Sequence, residues 1–456
     1  MPPDEPGPLQ AQSSTSGAPS GPAQDGWHLA ASHATTGSPD PGLHGDWRGR
    51  RWPLFKLALW TGLLTVLTLG LYRFWARTRI RRWYWSAIRP AGFPLEYVGT
   101  PYEKLLGFLV AVVILAFYIG VVNLLLIFVS FSLLSAPGLA YALTLVGLVP
   151  IWFYATYRAQ RYLLARTRWM GLRFGLEPGA WGYAARACWH WALTILTLGM
   201  WHPRLRWALA RYRHDRMFYG TQRLAQGGHA TMLYPAFVHL MIGGFLTAGT
   251  VLLAGSEAGP LLAALDDDEF TLLDGASPAW RMLYLGVPWL IFGLVHYSVE
   301  GRKALIAALS VGATGFDPQP SVGKVLWITL SGNAARYGAV ILLAMVASGL
   351  LIGAALTQGL TMEDVASADP EFLFSAVTSE LPTWLSTGIV VLFYFVIFLI
   401  WNVLTHIFLT MPTWRHYAQT LTLTGTAHLA TIDQRARDES REAGGFAEAL
   451  DVGAAI

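Results

Sequence analysis

Arginine and aromatic side chains alternate in parts of this chain, and that pattern could bind anions at a membrane surface. Between residues 73 and 89, six Arg residues are interleaved with Phe, Trp and Tyr. Guanidinium groups bind phosphate bidentately, and Trp and Tyr favour the headgroup layer of a bilayer. We therefore predict contacts with anionic lipid headgroups or another anionic ligand, while a role limited to anchoring helices stays open. The candidate contacts are Arg77, Arg82, Arg206, Arg211, Trp75 and Trp83.

No pattern in the sequence is typical of an enzyme. A nucleotide-binding loop, a nucleophile elbow and a zinc-protease motif are all missing. Cys188 is the only cysteine, so a thiolate metal cluster cannot form. His190, His202 and His214 would lie roughly 18 Å apart on a continuous helix, too far to share a metal ion. We predict no enzymatic activity, no cofactor, no metal site and no nucleic-acid partner.

The composition indicates a protein that lies in lipid. Hydrophobic residues make up 54% of the chain and charged residues 13%. The segment between Lys104 and Arg158 contains no Asp, Glu, Lys, Arg or His. As one helix it would be roughly 80 Å long, whereas the hydrocarbon core of a bilayer is about 30 Å thick. It must therefore fold back, and the turn residues 135–138 allow this.

Six charge-free apolar runs predict an all-α integral membrane protein with three helical hairpins. The runs are 105–134, 137–157, 231–255, 280–298, 336–358 and 384–411. A polar N-terminal tail at 1–50 is predicted to be disordered, residues 51–430 to form the membrane domain, and 431–456 to form a polar C-terminal tail.

Two shorter runs, 57–72 and 187–203, are at or below the roughly 17 residues that a membrane helix needs. If they enter and leave on one face, every Arg-rich segment lies in the cytoplasm and the acidic loops 256–274 and 359–380 lie outside. We therefore predict six crossings, two re-entrant or interfacial segments and cytoplasmic termini in a bacterial inner membrane. Eight crossings are the alternative.

The two short runs belong to related segments, 51–100 and 180–229. An offset of 129 residues aligns Thr68-Leu69-Gly70 with Thr197-Leu198-Gly199 and Tyr72 with Trp201. A looser element also recurs, in which a basic stretch is followed by Gly and usually Phe, as at 92–93, 171–174 and 315–316. We interpret it as a basic interfacial helix after each hairpin.

The chain resembles the YjgN family of bacterial multi-pass inner-membrane proteins. The residues that carry this resemblance are Thr68-Leu69-Gly70-Leu71-Tyr72 with Trp75-Ala76, and the segment 158–176. It covers about residues 50–435 and is strongest at 60–110, while the long N-terminal tail and the acidic outer loops depart from the family. The resemblance implies an inner-membrane location and no established activity.

Two functional classes remain open. Internal repeats favour a transporter or channel for a small or amphiphilic solute, because transporter folds often contain repeats. Scarce polar groups in the spans favour the alternative, a non-catalytic membrane scaffold or lipid-organising protein.

Overall fold

The computed structural model describes residues 42–132, 137–255, 278–367, 369–379 and 381–435. Within this part of the chain, short strands accompany the helices, so the prediction of an all-α protein is wrong. Nine strands form one antiparallel sheet in the order β1-β11-β10-β9-β8-β7-β6-β5-β4, and β2 pairs with β3. The strands are β1 Leu43–His44, β2 Asp46–Trp47, β3 Ile88–Arg89, β4 Leu95–Tyr97, β5 Thr167–Trp169, β6 Leu172–Leu176, β7 Met217–Tyr219, β8 Gln222–Gln226, β9 Leu309–Val311, β10 Thr314–Pro318 and β11 Leu421–Thr424.

The helices form five groups, and each group lies between two strands in the sequence. The first two hold α1 Arg51–Leu67 and α2 Arg73–Ala87, then α3 Pro101–Phe117, α4 Asn123–Ser132 and α5 Pro137–Ala165. The next two hold α6 Ala180–Leu196 and α7 His202–His214, then α8 Tyr234–Gly255 and α9 Pro278–Ala307. The last holds α10 Val322–Thr357, α11 Met362–Ser367, α12 Pro370–Thr378, α13 Thr383–Leu404 and α14 Met411–Gln419.

The two strands that flank each group of helices pair with each other: β2 with β3, β4 with β5, β6 with β7, β8 with β9, and β10 with β11. We call the two sheets together the strand layer. Paired strands are about 4.8 Å apart, so each group of helices begins and ends at neighbouring points of this layer. All five groups of helices therefore return to the layer from which they started.

Local chemistry sets where several helices begin. The Thr100 hydroxyl accepts a hydrogen bond from the Glu103 amide at 3.4 Å, and Pro101 occupies the first turn of α3. Ser321 caps α10 in the same way through the Lys324 amide at 3.5 Å. Such residues satisfy amide groups that have no partner within the helix.

Among the described residues, five helical segments are long and apolar enough to cross a bilayer: Pro101–Ser132, Ala230–Leu253, Met282–Ala307, Val322–Thr357 and Thr383–Gln419. The predicted number of six was wrong, since the run 137–157 lies within α5 and is not among them. Large apolar side chains such as Val113 and Leu350 are 69% and 71% exposed on these helices. Exposed apolar surface of this extent is typical of contact with lipid. The five helices are thus compatible with a membrane protein.

The basic stretches of the recurring element begin in helices, as in α2 and α14, but the Gly and Phe that follow them lie in turns or strands, which the sequence did not predict. The helix that carries Arg158 ends at Ala165, and Met170-Gly171 then forms the turn between β5 and β6. Both turn residues have positive φ, 50° and 80°, and Ala91-Gly92 has nearly the same values. Positive φ at two successive positions matches the right-handed twist of an antiparallel hairpin. The recurring Gly-Phe pattern therefore marks turns and strands.

The interior of the nine-stranded sheet is apolar and contains residues from most of its strands. Its buried side chains are Trp169, Tyr219, Leu224, Val311, Leu423, Leu429 and Ile432. Leu429 lies in the 3-10 helix Thr426–Thr431, so the last described segment fills this interior.

The predicted tails fall mostly outside the described residues, namely 1–41 and 436–456. The acidic loop 256–274 lies outside them as well, and the described part of 359–380 contains α11 and α12. Residues 43–44 and 46–47 of the predicted N-terminal tail form β1 and β2.

Candidate functional site

The two Thr-Leu-Gly segments form turns with the same backbone geometry, at the tips of the α1–α2 and α6–α7 hairpins. Leu69 and Leu198 both have φ of 51°, and Gly70 and Gly199 have φ of 92° and 91°. The Gly70 amide donates to the Thr65 carbonyl at 2.7 Å, and the equivalent bond from Gly199 has the same length. An αL leucine costs roughly 1–2 kcal/mol, so the surroundings must favour this turn in other ways.

Threonine side chains explain part of that preference. The Thr68 hydroxyl donates to the Leu64 carbonyl at 2.7 Å and accepts from the Tyr72 amide at 2.9 Å. Thr197 repeats both bonds in its own hairpin, at 2.8 Å and 3.1 Å, with Trp201 in place of Tyr72. One hydroxyl thus links the end of the first helix to the start of the second.

A cavity of about 920 Å³ lies between the α1–α2 hairpin, α10 and α13. Its volume falls within the roughly 300–1,000 Å³ of sites for small molecules. Apolar walls come from residues such as Ile80, Phe395, Phe398 and Leu399. A Cβ atom at Gly62 would overlap the Leu399 side chain, so this glycine lets α1 approach α13 closely.

Cationic and polar groups also line this cavity. They are Arg73, Arg77, Arg336, Thr61, Thr65, Asn402, Thr405, His406 and Thr410. Three of these residues belong to a π turn, Thr405–Thr410, which continues α13 into α14. π turns often occur at functional sites, because they change the direction of side chains within a helix. The cavity is amphipathic: an apolar chamber with guanidinium groups in its wall.

Arg336 is the residue of this site that the sequence analysis missed. It lies within the candidate span Val322–Thr357, where its guanidinium donates to Thr405 at 3.0 Å and to Asn333 at 2.9 Å. The group also lies 3.9 Å from the centroid of the Trp401 ring. Among the described residues no carboxylate forms an ion pair with it, and its Nε is buried without a hydrogen bond. A charge in an apolar span is expensive and usually marks a functional site.

Of the four predicted arginines, only Arg77 lines the 920 Å³ cavity. Arg82 is exposed and donates to the Gly99 carbonyl at 2.9 Å. Arg206 donates to the Tyr297 carbonyl at 2.9 Å, and Arg211 pairs with Asp215 at 3.4 Å. Neither lines the cavity, so the two related segments contribute unequally to it.

The predicted tryptophans pack against other aromatic rings. The Trp75 ring lies 5.4 Å from that of Tyr102 and 6.0 Å from that of Tyr72, measured between centroids. Trp83 packs edge-on against Trp47 and Tyr84, at 6.0 Å and 5.1 Å. Both residues thus fix the position of α2 next to the cavity without lining it.

The three regularly spaced histidines have separate partners. The Nδ1 atom of His190 accepts a hydrogen bond from the Trp201 indole at 2.9 Å, and His202 stacks on Phe237. His214 bonds to the Gln226 amide oxygen, and burial lowers the pKa of this imidazole below its usual value. Within the described residues no three His, Cys, Asp or Glu side chains converge on a metal-sized site.

The fold and the cavity define a helical protein with apolar spans compatible with a membrane, built around an antiparallel sheet. A family model described as a bacterial protein of unknown function, DUF898, matches residues 43–336, which is more than half of the chain. The chain belongs to this family, the YjgN family, and the resemblance predicted from residues 68–76 is confirmed. Neither a curated protein nor a solved structure matches the chain.

Proposed function

We propose that this protein binds an anionic amphiphile, such as a phospholipid, in the cavity between α1, α2, α10 and α13, and carries it within the membrane. The observation that supports this is Arg336, a cation in an apolar span with no carboxylate partner among the described residues. An anionic headgroup would provide the missing counter-charge, and the apolar walls would accept an acyl chain.

The location we propose is the bacterial inner membrane, with the strand layer in the cytoplasm. Arg-rich segments within or just after α2, α5 and α7 precede strands, and cations near membrane helices favour the cytoplasmic side. Both described ends of the chain join the same sheet through β1 and β11, so they would share that side. We further propose that α1–α2 and α6–α7 are copies of one unit, which their shared turn geometry supports.

Lipid binding tests the cavity. We expect Arg336→Gln and Arg77→Gln each to reduce binding of phosphatidylglycerol at least tenfold, since one charge-assisted hydrogen bond is worth about 1.5–3 kcal/mol. Native mass spectrometry of the purified protein would measure the bound lipid. Arg82→Gln is the matched control, because Arg82 lies on the same helix but does not line the cavity.

Arg336→Lys keeps the charge and should retain most of the binding, which separates a charge effect from misfolding. Equal loss in Arg336→Gln and Arg82→Gln, or full binding by Arg336→Gln, would contradict the proposed site.

Lipid movement separates a carrier from a lipid-organising scaffold. A carrier should accelerate transfer of fluorescent phosphatidylglycerol between leaflets of proteoliposomes, read as the fraction that dithionite can bleach, and Arg336→Gln should slow it. A protein that binds lipid but leaves the transfer rate unchanged is a scaffold, the alternative that the small number of polar groups in the spans favours.

A further inference from the structure

A second, smaller cavity of about 280 Å³ lies at the nine-stranded sheet, where the end of α5, the start of α3 and strands β5 and β6 meet. Among the described residues that line it, five are arginines: Arg161, Arg166, Arg168, Arg173 and Arg435. Glu103 is the one carboxylate in this lining set, and Arg166 and the Tyr162 hydroxyl both bond to it at 3.0 Å. The lining residues therefore carry an excess of positive charge, while Glu177, next to the lining residue Leu176, lies 4.0 Å from the Arg435 guanidinium. The cavity shares no lining residue with the cavity of the proposed function.

Two of these arginines oppose each other directly across a pair of strands. Arg168 of β5 and Arg173 of β6 are partners in the antiparallel register. Two cations at directly opposed positions concentrate positive charge on one face of the sheet, which favours the binding of an anion there. On its other side Arg168 is in register with Glu96, but Glu96 is exposed and the two side chains form no ion pair within the described residues.

The Arg168 guanidinium is also incompletely satisfied. Its Nε is buried and has no hydrogen-bond partner among the described residues. A buried donor without a partner costs about 1–3 kcal/mol, more when the group is charged. This donor, the opposed cations and the excess of arginine each indicate a ligand with several anionic oxygen atoms.

The C-terminal segment completes the cavity. The Gln434 side-chain oxygen accepts a hydrogen bond from the Arg173 amide at 3.0 Å, and the Arg435 guanidinium lies 4.4 Å from the Phe218 ring centroid. Both residues line the cavity, so a bound ligand would be held between strands and the end of the described chain.

We infer that this cavity binds a small anion with one or two phosphate groups, held between Arg168, Arg173 and Arg435. Phosphate is preferred over a single carboxylate because its oxygen atoms can accept bidentate bonds from several guanidinium groups at once. The volume admits a small phosphorylated solute or the headgroup of one lipid.

Thermal unfolding of the purified protein in phosphatidylcholine nanodiscs tests this inference, with sodium pyrophosphate as the probe and sodium chloride of equal ionic strength as the reference. Pyrophosphate should raise the melting temperature of the wild-type protein, because a ligand of the native state stabilises it. Arg168→Gln and Arg173→Gln should weaken the pyrophosphate affinity at least tenfold. Arg211→Gln is the matched control, since Arg211 is an exposed arginine outside the cavity.

Without ligand, Arg168→Gln should melt at or above the wild-type temperature, because it removes a charged group whose Nε is buried without a hydrogen bond. A merely structural Arg168 would give the opposite result, a lower melting temperature with the response to pyrophosphate retained, and would overturn the inference. It is equally overturned if pyrophosphate acts no better than chloride and phosphatidylglycerol nanodiscs also have no Arg168-dependent effect.

Phosphatidylglycerol nanodiscs distinguish the two sources of phosphate. Stabilisation by pyrophosphate in phosphatidylcholine assigns the site to a soluble phosphate. Stabilisation that requires phosphatidylglycerol, and that Arg168→Gln removes, assigns the site to a lipid headgroup.

Discussion

Arg336 is the fifteenth residue of the 36-residue helix Val322–Thr357 and is flanked on both sides by apolar sequence. In the sequence Arg336 is the first residue of the apolar run 336–358, because a charged residue is the natural boundary of such a run. Its true surroundings depend on Thr405 and Trp401, which are far away in sequence and approach only when α10 packs beside the π turn. A pattern of residue types does not contain that contact. Arg77 could be predicted because its Arg-aromatic neighbourhood is local.

His214 gives the protein a predicted sensitivity to acid. Its imidazole connects α7 to Gln226 of β8, whose amide in turn donates to the Leu305 carbonyl at 3.1 Å. Burial lowers the pKa of His214 below 6.5, so the folded state favours the neutral ring. Between 6.5 and the lower folded pKa the unfolded chain binds more protons, and stability therefore falls as the pH falls through this window.

We expect the melting temperature of the wild-type protein to be insensitive to His214 above pH 6.5 and to decrease below it. His214→Gln, which cannot acquire a charge, should show a weaker decrease in melting curves between about pH 5 and pH 8. His229→Gln, at an exposed position, serves as the control. An acid dependence unchanged in His214→Gln would show that other groups cause it.

At the scale of elements, the hairpin tips combine backbone strain with exposed apolar side chains. Leu69 is 85% exposed and Leu198 is 77% exposed, although both occupy a left-handed conformation. In water neither feature would be favourable, whereas insertion of the tips into lipid would stabilise them by burying apolar surface. We therefore expect both tips to lie below the headgroup layer.

Spin labels at Leu69→Cys and Leu198→Cys, in a Cys188→Ser background, would measure that depth by electron paramagnetic resonance. Both labels should collide more with oxygen, which concentrates in lipid, than with a water-soluble nickel chelate. A label at Glu96→Cys, exposed on β4, should show the reverse. Tips that are accessible to the nickel chelate would place the hairpins in water.

The two Thr-Leu-Gly segments are similar in sequence, because Thr, Gly and Arg recur at one offset. In the structure both segments form turns with the same backbone geometry. The strands, in contrast, were not predicted from the sequence. Those on the described sheet are two to five residues long, and an arginine in a short strand such as Arg168 looks like part of the preceding basic helix. Only the pairing of strands distant in sequence, such as β1 with β11, makes these segments a sheet.

In the molecule as a whole, the strands that flank every group of helices pair with each other. We therefore predict that the entire strand layer lies on one side of the membrane. In intact cells whose outer membrane is permeable to the reagent, Glu96→Cys and Ala225→Cys should resist a membrane-impermeant maleimide and react after lysis. Thr361→Cys, between α10 and α11, should react in intact cells. Labelling of Ala225→Cys in intact cells would contradict the cytoplasmic location.

The nine-stranded sheet pairs two strands that are synthesised far apart in time. β1, at residues 43–44, pairs with β11, at residues 421–424, and Leu429 and Ile432 then fill the interior. A ribosome releases β1 long before it has made these partners, and all five helical groups are synthesised in the interval. The nine-stranded sheet therefore cannot close through β1 and β11 until all five helical groups have been synthesised.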